Sequence, residues 1–342
     1  MTSLMRPVLA RLPSAMSTRE EFPTLAVPVG DPAGIGPEVV TAALGRIEVR
    51  AAARILAIGP QVLRPDSVPL VADAQESVQH PVAWLVTEGP EAWSMGVATA
   101  ACGRAALAAL RAGHELALAG AVDGLVTGPV SKEAFHLAGE QVEGQTELLA
   151  RWCGVERYGM LAMAEGLKVL LLTRHLPLRE AIASITRAGV LNHLHLLDET
   201  LRGLGLESPR LALPGLNPHA GEAGLLGAEE RDLLEPAVAR AREDGLNVSG
   251  PISPDVAFRD AMVGKYDGVL ALYHDQAFLP IKLLGDTRGC TLAAGLPYLR
   301  MSAVHGTAFD IAGEGVASCE NLVSTIRQAA ALCTQRASVA VR

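Results

Sequence analysis

The run Gly30-Asp31-Pro32-Ala33-Gly34-Ile35-Gly36-Pro37-Glu38, directly after the apolar Leu25-Ala26-Val27-Pro28-Val29, constrains the fold more than any other stretch. An apolar run that meets a glycine-dense turn and then the helically spaced Val39, Val40, Ala43 and Leu44 predicts strand, loop and helix, with Pro37 in the first helical turn. Its glycines let the backbone turn tightly and approach a ligand closely, and the helix start leaves free amides that favour an anion. A tight turn without a ligand fits the same residues. The spacing departs from the G-x-G-x-x-G fingerprint, so no Rossmann dinucleotide site is read here.

The strand-then-helix pattern recurs. Residues 53–59 and 82–86 read as strands, 96–118 as a long alanine-rich helix, and 124–127 as a strand entering Gly128-Pro129. Residues 160–163 and 167–173 read as neighbouring strands joined by a Glu165-Gly166 hairpin turn. A helix over 190–201, a strand over 210–214, a charged helix over 229–243, a strand over 267–272 and a closing helix over 318–332 behind a Ser318 cap complete the pattern. Such alternation over 342 residues predicts an α/β sandwich, with parallel and some antiparallel strands in two subdomains that share a sheet or cleft. With 49% hydrophobic but only 4% aromatic residues, the core has to be aliphatic.

A net charge of −8 without a basic run argues against a nucleic-acid partner. No apolar run reaches the length of a membrane span, and residues 1–20 lack the apolar centre of a signal peptide, so they read as an unstructured extension or as preceding a start at Met16. The scattered Cys102, Cys153, Cys290, Cys319 and Cys333 suit reduced thiols in a cytoplasmic protein.

Three of the nine histidines follow predicted strands closely: His175, His219 and His274. Strand ends are where open α/β sheets gather ligands, and imidazoles collected there could hold a divalent metal with positions left open for substrate. Strand-end histidines bonded to loop backbone are the plainer alternative, because no local motif such as H-E-x-x-H joins them. Lys132, Arg174, Lys282 and Arg300 also sit near strand ends or turns, as receptors for phosphate or carboxylate or as solvated surface groups. His80, His114, His136, His193 and His195 read as surface or structural residues.

Seven motifs then fall in order: the opening run, Thr127-Gly128-Pro129-Val130-Ser131-Lys132, Thr146-Glu147, Asn217-Pro218-His219-Ala220-Gly221-Glu222, Gly250-Pro251-Ile252-Ser253-Pro254-Asp255, Tyr273-His274-Asp275-Gln276 and His305-Gly306-Thr307-Ala308-Phe309-Asp310-Ile311-Ala312-Gly313. Together they resemble the 4-hydroxythreonine-4-phosphate dehydrogenase family of pyridoxal phosphate biosynthesis over residues 24–330. That family is similar in fold to isocitrate and isopropylmalate dehydrogenases, which bind NAD without the Rossmann fingerprint. The resemblance implies a two-subdomain α/β/α sandwich with a cleft between a first subdomain (21–128 with 283–342) and a central one (129–282) that carries the metal ligands and dimer interface.

The resemblance further implies a homodimer with its active site at the interface, where His175 and His219 of one subunit and His274 of the other hold one divalent metal, Zn2+ ahead of Mg2+ or Co2+. Gln145, Thr146, Lys282, Thr291 and Arg300 are the implied contacts of a small phosphorylated substrate, and Lys132, Asp255 and Asp275 the candidate catalytic residues. Gly30, Asp31, Gly34, His305, Gly306 and Asp310 are the candidate contacts of NAD, with NADP as the alternative. The implied reaction oxidises and decarboxylates 4-phosphooxy-L-threonine to 3-amino-2-oxopropyl phosphate. Two departures stand in the substrate pocket: Gln145 replaces the histidine of the family's G-H-T-E, and Thr291 replaces an asparagine. A D-threonate or D-erythronate 4-phosphate dehydrogenase, or a related diol-acid dehydrogenase, is therefore the second expectation, and a non-catalytic metabolite-binding homologue the third.

Overall fold

The computed structural model describes residues 22–285 and 288–340, except the side chains of 337–340, so the extension expected at 1–20 lies outside the described residues. Its strands are β1 (Thr24–Pro28), β2 (Arg54–Pro60), β3 (Leu70–Val71), β4 (Val82–Thr87), β5 (Gly124–Thr127), β6 (Gly159–Ala164), β7 (Leu167–Leu171), β8 (Arg210–Pro214), β9 (Asn247–Ile252), β10 (Gly268–Ala271), β11 (Cys290–Ala294) and β12 (Leu299–Ala303). All twelve join in one sheet, in the order β3-β4-β2-β1-β5-β12-β11-β6-β7-β10-β8-β9. The first six positions pair in parallel, as do the last four. Between them, β12–β11, β11–β6 and β6–β7 pair antiparallel. Three reversals in succession leave the two parallel sets running in opposite directions.

Every residue of β1, β5, β10 and β11 is buried, because helices cover both faces of the sheet. Continuous apolar runs such as Leu25-Ala26-Val27 follow from that double coverage. Strands from 24–127 and 290–303 form one half of the sheet, and strands from 159–271 form the other. Among the described residues, no helix is long and apolar enough to cross a membrane.

The Glu165-Gly166 turn forms as expected. Both residues take left-handed φ, 46° and 89°, in a two-residue hairpin that pairs Ala164 with Leu167. Other elements correct the sequence reading. The alanine-rich helix starts at Ala100 rather than Gly96, because the Thr99 side chain caps it by accepting from the Cys102 amide, while Gly96 has φ 72° outside it. The charged helix opens with a π-helical turn, Glu230–Leu234, before the α-helix Glu235–Glu243, where Pro236 lacks the N–H of a continuous ladder. β3, β9, β11 and β12 were not expected. Gly250-Pro251 interrupts the pattern of β9, and β11 and β12 form an antiparallel hairpin around the turn that begins at Gly295-Leu296-Pro297.

Candidate active site

The opening glycine run meets two other motif loops. The Ile35 amide donates to the Thr307 carbonyl at 2.9 Å, the Asp31 amide to the Pro129 carbonyl at 2.9 Å, and the Gly313 amide to the Glu38 carboxylate. A Cβ on Gly30 would strike the Pro129 carbonyl, and one on Gly34 would stand 2.9 Å from Thr307 Cβ. These glycines therefore serve the close packing of loops. Asp31 is wholly buried, accepts from the Ala33 amide at 2.9 Å, and has its pKa raised by that burial. Gly30, Asp31 and Gly34, expected at the cofactor, pack behind Pro129 and Thr307 as the rear of a wall.

In front of that wall lies a cavity of about 310 Å³. Loops after β5, β7, β10 and β12, the start of helix Gln145–Cys153 and helix His274–Gly285 enclose it. Arg300, on β12, is the group that sets its charge. The residue is only 3% exposed, its Nη2 donates to Thr127 Oγ1 at 2.6 Å and its Nη1 to Thr146 Oγ1 at 3.2 Å, while Nε has no partner. Burial lowers its pKa to about 10, against the nearby Tyr298 and Glu147. A buried guanidinium that meets only hydroxyls is costly until an anion arrives. Lys132 and Lys282 add two further cations to the lining, and the first turn of helix Gln145–Cys153, which has no side-chain cap, adds free amides.

Gln145 turns its amide N–H to the Gly128 carbonyl, 3.0 Å away, and leaves Oε1 buried without a partner. One of its two amide protons is thereby taken up, and the other is left free. Glu147 forms an ion pair with Arg174 at 3.4 Å, and the Arg174 guanidinium in turn stacks 5.0 Å from the Tyr158 ring.

His175 and His274 meet at the same cavity, with ring centroids 5.6 Å apart. They follow β7 and β10, which are neighbours in the sheet. Burial, then Lys132 and His274, lower the pKa of His175 and so favour the neutral imidazole. Asp275, exposed beside the cavity, accepts from His274 Nδ1 at 2.7 Å. His219 follows β8 on the far side of β10 and lies with Asp255, whose carboxyl is held below the usual range by the Ser253 hydroxyl first and by His219 among lesser causes. Within one chain, therefore, the structure brings His175 to His274, while His219 and Asp255 stay outside the cavity lining. Among the described residues, no three His, Cys, Asp or Glu side chains converge to hold a metal ion.

His219 has φ 52°, in a segment where Ala220, Glu222 and Ala223 are also left-handed. The Glu230 carboxylate pins the start of that segment by accepting from the Leu216 and Asn217 amides at 2.8 and 2.7 Å. His305 and Gly306 line the cavity, and a Cβ on Gly306 would meet nothing within 4 Å, while Asp310 is exposed on the loop beyond. The sequence reading missed Ser302, which shares the cavity with Thr291, and gave Thr127 no role of its own. A period-2 reading of residues 299–303 would have put Ser302 on the face of Arg300.

The chain is 38% identical over 323 residues to the D-threonate 4-phosphate dehydrogenase of Salmonella typhimurium, across 90% of this chain and 98% of that one. Over 329 residues it is 36% identical to the 4-hydroxythreonine-4-phosphate dehydrogenase of Geobacter metallireducens, across 92% and 97% of the two. Among solved structures, the 4-hydroxythreonine-4-phosphate dehydrogenase of Klebsiella pneumoniae superposes with a TM-score of 0.85 at 36% identity, over 91% of this chain and 98% of that one. The family model described as pyridoxal phosphate biosynthetic protein PdxA matches residues 40–329. On fold, length and sequence alike, the chain belongs to the PdxA family of dehydrogenases.

Proposed function

We propose that the protein oxidises the C3 hydroxyl of a four-carbon 4-phosphooxy acid with NAD, and that the resulting β-keto acid loses CO2. The observation that carries this reading is Arg300, a buried cation without an anionic partner, in a cavity that also presents Lys132 and Lys282. Three cations suit a substrate with a phosphate at one end and a carboxylate at the other. The Salmonella and Geobacter relatives are both named for four-carbon 4-phosphates, which supports the same class.

The 2-hydroxy acid, D-threonate 4-phosphate, fits better than the 2-amino acid. A substrate ammonium would add a fourth positive charge, while Glu147 is already paired with Arg174 and Glu143 is exposed at the edge. The names of the Geobacter and Klebsiella relatives favour 4-phosphooxy-L-threonine as the second reading. The 2-hydroxy acid would yield dihydroxyacetone phosphate, and the 2-amino acid 3-amino-2-oxopropyl phosphate.

His175 and His274 fit two positions of a divalent-metal centre. One is biased neutral by burial, and the other has its Nδ1 held by Asp275, the support that leaves Nε2 free to ligate. His219 of a second copy of the chain would complete the set, and imidazole donors favour Zn2+ over Mg2+. The open backbone at Gly306 fits close approach of a dinucleotide, and the exposed Asp310 carboxylate would repel a 2′-phosphate, which favours NAD over NADP. When bound, the metal supplies a Lewis acid and NAD a hydride acceptor. Arg300 and Lys282 hold the anionic ends of the substrate so that C3 is fixed. Lys132, a cationic amine on the same wall, can return a proton to C2 once CO2 has left. Reduced-nicotinamide absorbance with each acid tests the reading: we expect kcat/KM about tenfold higher for the 2-hydroxy acid. NAD reduction with neither acid would refute it.

A further inference from the structure

Arg300 and Ser302 lie two residues apart on β12, so their side chains leave the same face of the sheet. Thr291 is the residue opposite Ser302 on the antiparallel β11, and the two hydroxyl oxygens are 2.9 Å apart, with either able to donate. All three line the cavity. Two hydroxyls carry two protons, and only one can lie between them. Thr291 is the more enclosed of the pair, 7% exposed, and its other neighbour, the Ser302 carbonyl, is at 3.5 Å, too far for a firm bond. When Thr291 donates to Ser302, the Ser302 proton is left for the cavity. Thr127 and Thr146 already accept from Arg300, so the hydroxyls around this guanidinium are oriented by it.

We propose that Ser302 is a further substrate-binding residue: its hydroxyl, backed by Thr291, donates to the same anionic group that Arg300 receives. This rests on the reading that the substrate carries two anionic groups, and it assigns a donor where this chain has a threonine hydroxyl in place of the family's asparagine amide. The donor is neutral and short, so it adds directionality to a site whose charge comes from Arg300.

The test measures binding apart from turnover. Calorimetric titration of the dimeric enzyme with inorganic phosphate and, separately, with D-threonate probes the two kinds of anion. Ser302→Ala is expected to weaken one of the two about tenfold, leave the other and NAD affinity unchanged, and raise KM for the 4-phosphooxy acid in parallel with little change in kcat. A change in phosphate binding identifies the phosphate end, and a change in D-threonate binding the carboxylate end. Thr291→Val, which leaves Ser302 its proton, is expected to cost less than Ser302→Ala. Unchanged affinity for both anions overturns the proposal even if the wild-type enzyme turns over its substrate. So does a larger loss in Thr291→Val, or a fall in NAD affinity and Tm alongside the anion loss. Loss of anion binding in Ser302→Ala supports it even if neither phosphooxy acid is oxidised, so the two readings fail separately.

Discussion

Arg300 shows how a single side chain can be unfavourable for folding and necessary for binding. Buried and hydrogen-bonded only to hydroxyl oxygens, it does not earn its place through stability. Arg300→Met is therefore expected to lower kcat/KM by about a hundredfold while Tm does not fall, as measured by steady-state kinetics and calorimetry. A drop of several degrees in Tm would mean that the guanidinium supports the fold instead. A second expectation concerns pH. Burial lowers the pKa of His114 and His193 below the ordinary histidine value, so the unfolded chain takes up protons first as pH falls. Their contribution to stability is full above that ordinary value and is lost as pH drops toward the lowered one. Tm should accordingly decline from pH 7 to pH 5, and a flat profile would count against buried neutral imidazoles. At this scale the sequence exposed the cations and histidines, because charged and imidazole side chains are conspicuous in an aliphatic chain. Ser302 stayed hidden, since a serine acquires meaning only from its neighbour across the strand pair.

Elements were legible where local chemistry decides them. Leu25-Ala26-Val27 had to be a strand covered on both faces, and Glu165-Gly166 had to turn, because each depends on a few adjacent residues. Boundaries depended on subtler contacts, as with the helix that Thr99 starts. Thr99→Ala removes the acceptor of the Cys102 amide, 3.1 Å away, and should cost about 1 kcal/mol in denaturant unfolding. A cost near zero would place the helix start elsewhere. The strands that escaped notice have their own reasons. β9 contains Gly250-Pro251, and β12 carries a buried arginine where an apolar residue is expected. The meeting of His175 with His274 could not be read either: β7 pairs with β10 although β8 and β9 intervene in sequence.

At the scale of the molecule, the region after the ends of β7, β8 and β10 is unusually apolar for a surface. Leu178 and Leu225, in the segments that follow β7 and β8, are 56% and 82% exposed, and Leu279, on the helix that follows β10, is 62% exposed. On the proposed arrangement these side chains would face a second copy whose His219 joins the His175–His274 pair. Mixing His219→Ala with His175→Ala chains tests this arrangement. Each variant alone should be inactive, and the mixture should recover about a quarter of wild-type activity, since random pairing leaves half the dimers with one intact site. No recovery would place His175 and His219 in the same site half, as the family resemblance had implied. The unbroken sheet carries a last consequence. Five residue pairs register β11 with β6 across the junction of the two halves, so they are joined by a hydrogen-bonded seam rather than by a linker. Relative motion of the halves therefore works through bending and twisting of the sheet at that seam. Any closure over a ligand is then shared between sheet twist and the loops at the rim.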